Sequence, residues 1–171
     1  AIIEIQNAMN SYSEGRALFD TGATANFVRK KFVIKLGYEI KSEKCNIEFQ
    51  SLGEQKIPIY GKLALKLRSK YSRGGSGFYE EHLLFNIIDE IHGSYPHRRL
   101  NMRNFQNIPS HLFLADHTFN EPSQIDVILG NGIAFPCLLN GGFRLNCGLT
   151  VKESDFGNLM GETFNDYYMH G

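Results

Sequence analysis

Cysteine is scarce in this 171-residue chain: Cys45, Cys137 and Cys147 are too few and too widely spaced for a disulfide framework or a zinc site. A reducing, cytoplasmic setting follows as the expectation. Net charge is also missing. The 18 acids balance 18 bases, so no global field draws the chain toward nucleic acid or a membrane surface. No run of about 18 apolar residues exists, which removes a membrane-spanning helix from the expectation. His92 with His97, and His111 with His117, match no standard metal-ligand spacing, and no cysteine or acid completes them. They read as surface histidines, and neither a metal nor a cofactor is expected. The chain lacks an initiator Met and a signal-peptide pattern, as a piece cut from a longer chain would.

What the chain does have is glycine and aromatics: 17 Gly, 13 Phe and 8 Tyr, a composition that leans toward strands and turns. The length suits one domain, 1–171, with 162–171 as a loose C-terminal end. Ala1 to Ile5 reads as a first strand, Asn7 to Gly15 as a turn-rich stretch, and Arg16 to Phe19 as a second strand. Ala25, Val28, Phe32 and Leu36 recur at spacings of three and four, which predicts a helix stopped by Gly37. Cys45 to Ile59 has two alternating arms around a polar tip at Ser51 to Glu54, a β-hairpin. Tyr60 to Lys66 continues as a strand with Leu63, Leu65 and Leu67 on one face. After a flexible turn at Ser72 to Gly77, His82 to Ile88 makes a further strand. Gly93 to Pro122 is the least regular part, and its basic cluster of His97, Arg98, Arg99 and Arg103 reads as a solvated loop, with a charged substrate or partner contact as the alternative. Leu112 to Asp116 is a possible strand within it. Ile125 to Gly130 is an apolar strand ending in glycine, followed by a short helix with Pro136 in its first turn. Short closing strands follow between Gly142 and Gly161.

One stretch stands apart. Leu18-Phe19-Asp20-Thr21-Gly22-Ala23 carries an apolar strand straight into an acid, and a carboxylate at the buried end of a strand is paired or has a task. Gly22 permits a sharp turn, and the Thr21 hydroxyl can lock it. The strand–glycine–helix unit at Ile125 to Gly130 is a weak internal echo without the acid. Carboxyl-based peptide hydrolysis needs two acids sharing a proton: one activates water while the other donates to the carbonyl oxygen. Like charges at about 3 Å cannot both ionise, so such a pair titrates as a unit and works on the acid side of neutral. The chain has a single Asp-Thr-Gly. Asp155-Phe156-Gly157 has no hydroxyl after the acid, and Asp116 and Asp126 have no adjacent turn glycine. A second carboxylate would therefore come from a second copy, across a two-fold axis.

Phe19 to Ala23, the hairpin around Gly53, and Ile128-Leu129-Gly130 before a helix together resemble a retropepsin, the homodimeric aspartic protease of retroviruses and retrotransposons. Arg16 to Ala23, Phe27-Val28 through Lys35-Leu36-Gly37, Leu114-Ala115-Asp116 with Phe119, and Ile125 to Gly130 are most similar to the protease of BEL/Pao-type LTR retrotransposons. The resemblance covers about residues 1–161. It implies a mainly β fold, a closed retropepsin-like barrel with one or two short helices and one lobe per chain. It implies that Asp20 is the catalytic acid/base, that Thr21 bonds across the dimer axis, and that Gly22 and Ala23 approach the substrate backbone. Ser51, Leu52 and Gly53 would form the flap tip, and Leu129 and Gly130 would support the active-site loop from below. The implied substrate is the element's own polyprotein, bound as an extended strand, in the cytoplasm or within virus-like particles. Neither a membrane nor nucleic acid is an expected partner.

Departures are visible too. Where that branch often has Ala-Asp after the second glycine and Gly-Trp near the C-terminus, this chain has Asn131-Gly132 and Gly157-Asn158, and no tryptophan anywhere. The flap is poor in glycine, and His92 to Gln124 is an expansion that either covers the fold or shapes the cleft. The alternative function is a catalytically silent retropepsin-fold module for dimerisation or peptide binding in a domesticated host protein. A strand-end acid that merely caps a helix, and a phosphatase-like aspartate, are weaker alternatives. The second of these needs an acid or threonine where Gly22 stands.

Overall fold

The computed structural model describes residues 1–41, 45–50, 56–72 and 77–162, with the backbone alone for 45–50 and 162. Period-two alternation builds its first half. In β1 (Ile2–Gln6) Ile3 and Ile5 are fully buried while their neighbours are only partly covered. The chain turns on Asn7, whose Oδ1 accepts from the amides of Met9 and Ser11, and returns antiparallel as β2 (Tyr12–Phe19). β2 starts four residues earlier than Arg16, the start the sequence suggests. Tyr12, Ser13 and Glu14 pair with Gln6, Ile5 and Glu4, so their polar character marks an outer strand surface rather than a loop.

The expected helix is also displaced. Residues Asn26–Arg29 form a strand, β3, and only Lys30–Lys35 is helical (α1). Phe27 and Val28 suit a pleated surface, and pairing with two neighbouring strands overrides their helical spacing. The helix ends where Gly37 predicts. Gly37 adopts φ +85°, its amide donates to Ile34 O, and Tyr38 N donates to Val33 O, a double closure that a left-handed residue makes possible.

β4 (Cys45–Gln50) and β5 (Lys56–Ile59) form the expected antiparallel hairpin. Its tip, with Ser51, Leu52 and Gly53, lies outside the described residues, as does most of the turn at 72–77. β6 (Lys62–Ser69) buries Leu65 and Leu67 on the expected face and pairs along its whole length with β7 (Glu80–Ile88). β10 (Val127–Leu129) is the last barrel strand, parallel to β2 and antiparallel to β3. Six strands close in the order β1-β2-β10-β3-β7-β6, with β3 and β7 parallel and β1 sealing against β6. Phe32, Phe85, Leu65, Leu67, Val28, Val127 and Leu129 fill the interior. Each such side chain stabilises the fold by about 1.5–3 kcal/mol through burial.

The 93–122 stretch is not simply a solvated loop. It contains β8 (Ser94–Tyr95), a 3-10 turn at Met102–Phe105, and β9 (Ser123–Gln124), which pairs back on β8. Leu112 to Asp116 forms no strand; it makes one parallel bridge, Leu114 to Asn158. Yet the stretch carries a core of its own. Phe105 and Phe119 meet edge to face at 5.0 Å and pack with Leu145, Leu149 and Val151 of the C-terminal segment. Arg98, Arg99 and Arg103 stay exposed, as expected of the basic cluster.

α2 (Asn131–Ala134) is a single turn, and Pro136 lies after it rather than in its first turn. β11 (Leu138–Arg144), β12 (Leu149–Ser154) and β13 (Gly157–Glu162) then form an antiparallel sheet. No helix among the described residues is long and apolar enough to cross a membrane.

Candidate active site

β2 and β10 run side by side in register, Ala17 with Val127, Leu18 with Ile128 and Phe19 with Leu129. Asp20 and Gly130 therefore leave the barrel next to one another. Because β10 lies between β2 and β3, the chain from Asp20 to Ala25 has to cross over the end of β10. Four hydrogen bonds fix that crossing. Asp20 N donates to Leu129 O at 2.9 Å and Asn131 N donates to Ala23 O at 2.7 Å. Gly130 N donates to Asn26 Oδ1 at 2.8 Å, and Asn26 Nδ2 donates to Leu84 O at 3.2 Å. The crossing is so close that a Cβ on Gly130 would stand 2.5 Å from Ala25 O and 2.9 Å from Ala23 O. No side chain fits there.

Within the turn, Gly22 N donates to Asp20 Oδ1 at 2.9 Å and Ala23 N donates to Asp20 O at 3.2 Å. The bond from Gly22 holds the carboxylate over the turn, half-exposed, while Thr21 and Gly22 face solvent. Leu129 is fully buried beneath. The structure thus gathers Asp20, Thr21, Gly22, Ala23, Leu129 and Gly130 into one unit.

Asp116, Asp126 and Asp155 have different surroundings. Asp116 is buried, and its Oδ2 accepts from Arg16 Nε at 2.7 Å. The remaining Arg16 nitrogens donate to Glu121 O at 3.1 Å and Thr118 O at 3.0 Å. Burial alone would raise the Asp116 carboxyl. Hydrogen bonds from Thr118 and Arg16, with the positive charges of the Ala1 amine and Arg16, outweigh it and hold the group below its ordinary range. Asp126 accepts from Arg16 N at 2.9 Å through Oδ2 and from Arg29 Nε at 2.8 Å through Oδ1. Asp155 precedes Phe156, whose ring meets Phe19 at 5.3 Å and Tyr79 at 5.1 Å, both edge on. A cysteine nucleophile is not available at Cys137: burial, with the nearby Asp155 charge, pushes its thiol up to about 11.

Several of these supports went unread in the sequence. Asn26 bridges Gly130 and Leu84, Phe156 packs behind Phe19, and Arg16 ties the expansion to the strand that carries Asp20. Arg16 and Asp116 stand a hundred residues apart, with no local pattern joining them. The signal available was a charged residue flanking the apolar run Ala17-Leu18-Phe19, which applied to Arg16 as much as to Asp20. The 93–122 stretch is tied to the barrel through Arg16 and through Ile2, whose amide donates to Ala115 O at 2.7 Å. No family model, curated protein or solved structure matches this chain.

Proposed function

We propose that this chain is one half of a homodimeric aspartic endopeptidase of retropepsin type, of the kind encoded by BEL/Pao-type retrotransposons, acting on an extended polypeptide such as its own polyprotein. The supporting observation is the placement of Asp20: a half-exposed carboxylate on a turn that crosses a neighbouring strand end at Gly130, pinned by hydrogen bonds on both sides. Such fixed geometry is what a general acid or base needs. The acids on the adjoining elements, Asp116 and Asp126, are engaged by Arg16 and Arg29. A second catalytic carboxylate is therefore sought in a second copy, with the two-fold axis between two Asp20 side chains.

In that dimer one carboxylate is ionised and the other protonated. The ionised Asp20 takes a proton from water as its oxygen attacks the scissile carbonyl carbon. The protonated Asp20 gives its proton to the carbonyl oxygen, forming a neutral gem-diol. The Asp20 that took the water proton then gives it to the amide nitrogen, while the other, now ionised, takes a hydroxyl proton from the gem-diol. The C–N bond breaks, a carboxylic acid and an amine leave, and the pair again holds one proton. Gly22, having no side chain, lets the peptide backbone approach. Thr21, exposed at the turn, is available to the partner's loop.

A peptide carrying a secondary alcohol in place of the scissile amide mimics the gem-diol and tests this reading. Calorimetry at about pH 5, on the acid side where such a dyad works, should show saturable binding to the native chain at one inhibitor per two chains. Asp20→Asn should bind far more weakly. Equal binding by both proteins would refute the role of Asp20.

A further inference from the structure

The outer face of β2, β10 and β3 carries a second apolar surface, distinct from the barrel interior. Strand alternation separates the two: Ala17, Phe19, Val127 and Leu129 join the interior cluster, while Leu18 and Ile128 join another cluster with Phe27. Ile88, Ile91 and Ile125 bury one part of that outer surface. Its rim is half-buried and comes from three sources: Leu18, Ala25 and Ile128 beside the Asp20 turn, Ile57 of the β5 arm, and Tyr95 of the expansion. Leu18 stands two residues before Asp20, and Ile128 two before Gly130.

Resting on the endopeptidase reading, we infer that Tyr95 is a specificity-determining residue, walling one end of the apolar cleft that receives a side chain of the extended substrate. Four features support this. Tyr95 is held in a fixed ribbon, paired with Ser123 while Ser94 pairs with Gln124. That ribbon runs directly into Ile125 and β10, so Tyr95 is tied to the strand that supports the catalytic turn. Its ring lies 5.2 Å from that of His97, an exposed side chain. Finally, its aromatic body joins the same cluster as Leu18 and Ile128 without being fully covered. An apolar rim left half-open beside a catalytic group fits the apolar side chain of a peptide, and a large ring at one end of it limits the size accepted.

The experiment compares cleavage of a peptide library by the native chain, Tyr95→Ala and Tyr95→Phe. Tyr95→Ala should accept larger apolar residues at one subsite, and its KM for the best native peptides should rise about tenfold with kcat within about twofold. Tyr95→Phe should keep the native profile. Should the alanine protein fail to fold, Tyr95→Leu retains most of the packing volume and should show the same shift at that subsite. A folded Tyr95→Ala or Tyr95→Leu protein with the native profile and KM would overturn the assignment while leaving the protease reading intact. Absence of any cleavage by the native chain would count against the protease reading and remove this assignment with it.

Discussion

The amide of Asp20 donates to the carbonyl oxygen of Leu129 at 2.9 Å, although the two residues are more than a hundred positions apart. That bond continues the parallel ladder of β2 and β10 one step past its regular end and aims the chain across the tip of β10. Gly130 makes the crossing possible. In Gly130→Ala the new methyl would press on Ala23 O and Ala25 O at distances no relaxed contact allows, so the turn itself must move. We expect a stability loss of about 1–3 kcal/mol by denaturant melts. Binding of the alcohol-containing peptide should fall further than stability does.

Asp116 gives a prediction in pH. Its carboxyl is held below the ordinary range in the fold, so it binds a proton more readily once unfolded. The stability it adds is therefore fully present above about pH 4, the ordinary carboxylate value, and is lost as pH falls through the lowered folded value. Asp116→Asn should show a flatter fall of unfolding free energy with acid in that window. Near neutrality Asp116→Ala leaves the buried Arg16 uncompensated and should cost about 3–5 kcal/mol, measured by urea denaturation.

Phe156 joins the C-terminal sheet to the barrel. It is buried and meets Tyr79 and Phe19, the residue before Asp20, edge on. Phe156→Ala should destabilise by about 3–5 kcal/mol. Phe156→Leu should recover most of that in the same thermal melts.

Local pattern explains which parts of this architecture were legible. Strands with one buried face announce themselves by alternation, as β1 and β6 do, and glycine with φ above zero marks the end of α1 at Gly37. The Asp20 turn was visible because its residue types are rare at a strand end. β3 is ambiguous in sequence because Phe27 and Val28 fit a helical spacing as well as a strand, and only their partners in β10 and β7 decide between the two. The second core was hidden for a related reason. Phe105 and Phe119 show no period, since they come from a 3-10 turn and a loop and find each other only when the C-terminal sheet is in place. Arg16 with Asp116 and Asn26 with Gly130 are long-range pairs that spacing cannot encode.

A dyad with one acid per chain also predicts how mixtures behave. Adding an equal amount of Asp20→Asn to the native chain, under conditions where protomers exchange, should convert about half of the native chains into mixed dimers and lower their activity to about half. Unchanged activity would show that each chain acts alone.

The most direct test of the central claim is hydrolysis of a peptide library at about pH 5 by the native and Asp20→Asn proteins side by side, read by mass spectrometry. The native chain should cut at discrete bonds, and the asparagine variant should lose more than about a thousandfold in rate. Cleavage at the same bonds and the same rate by both proteins would contradict the account.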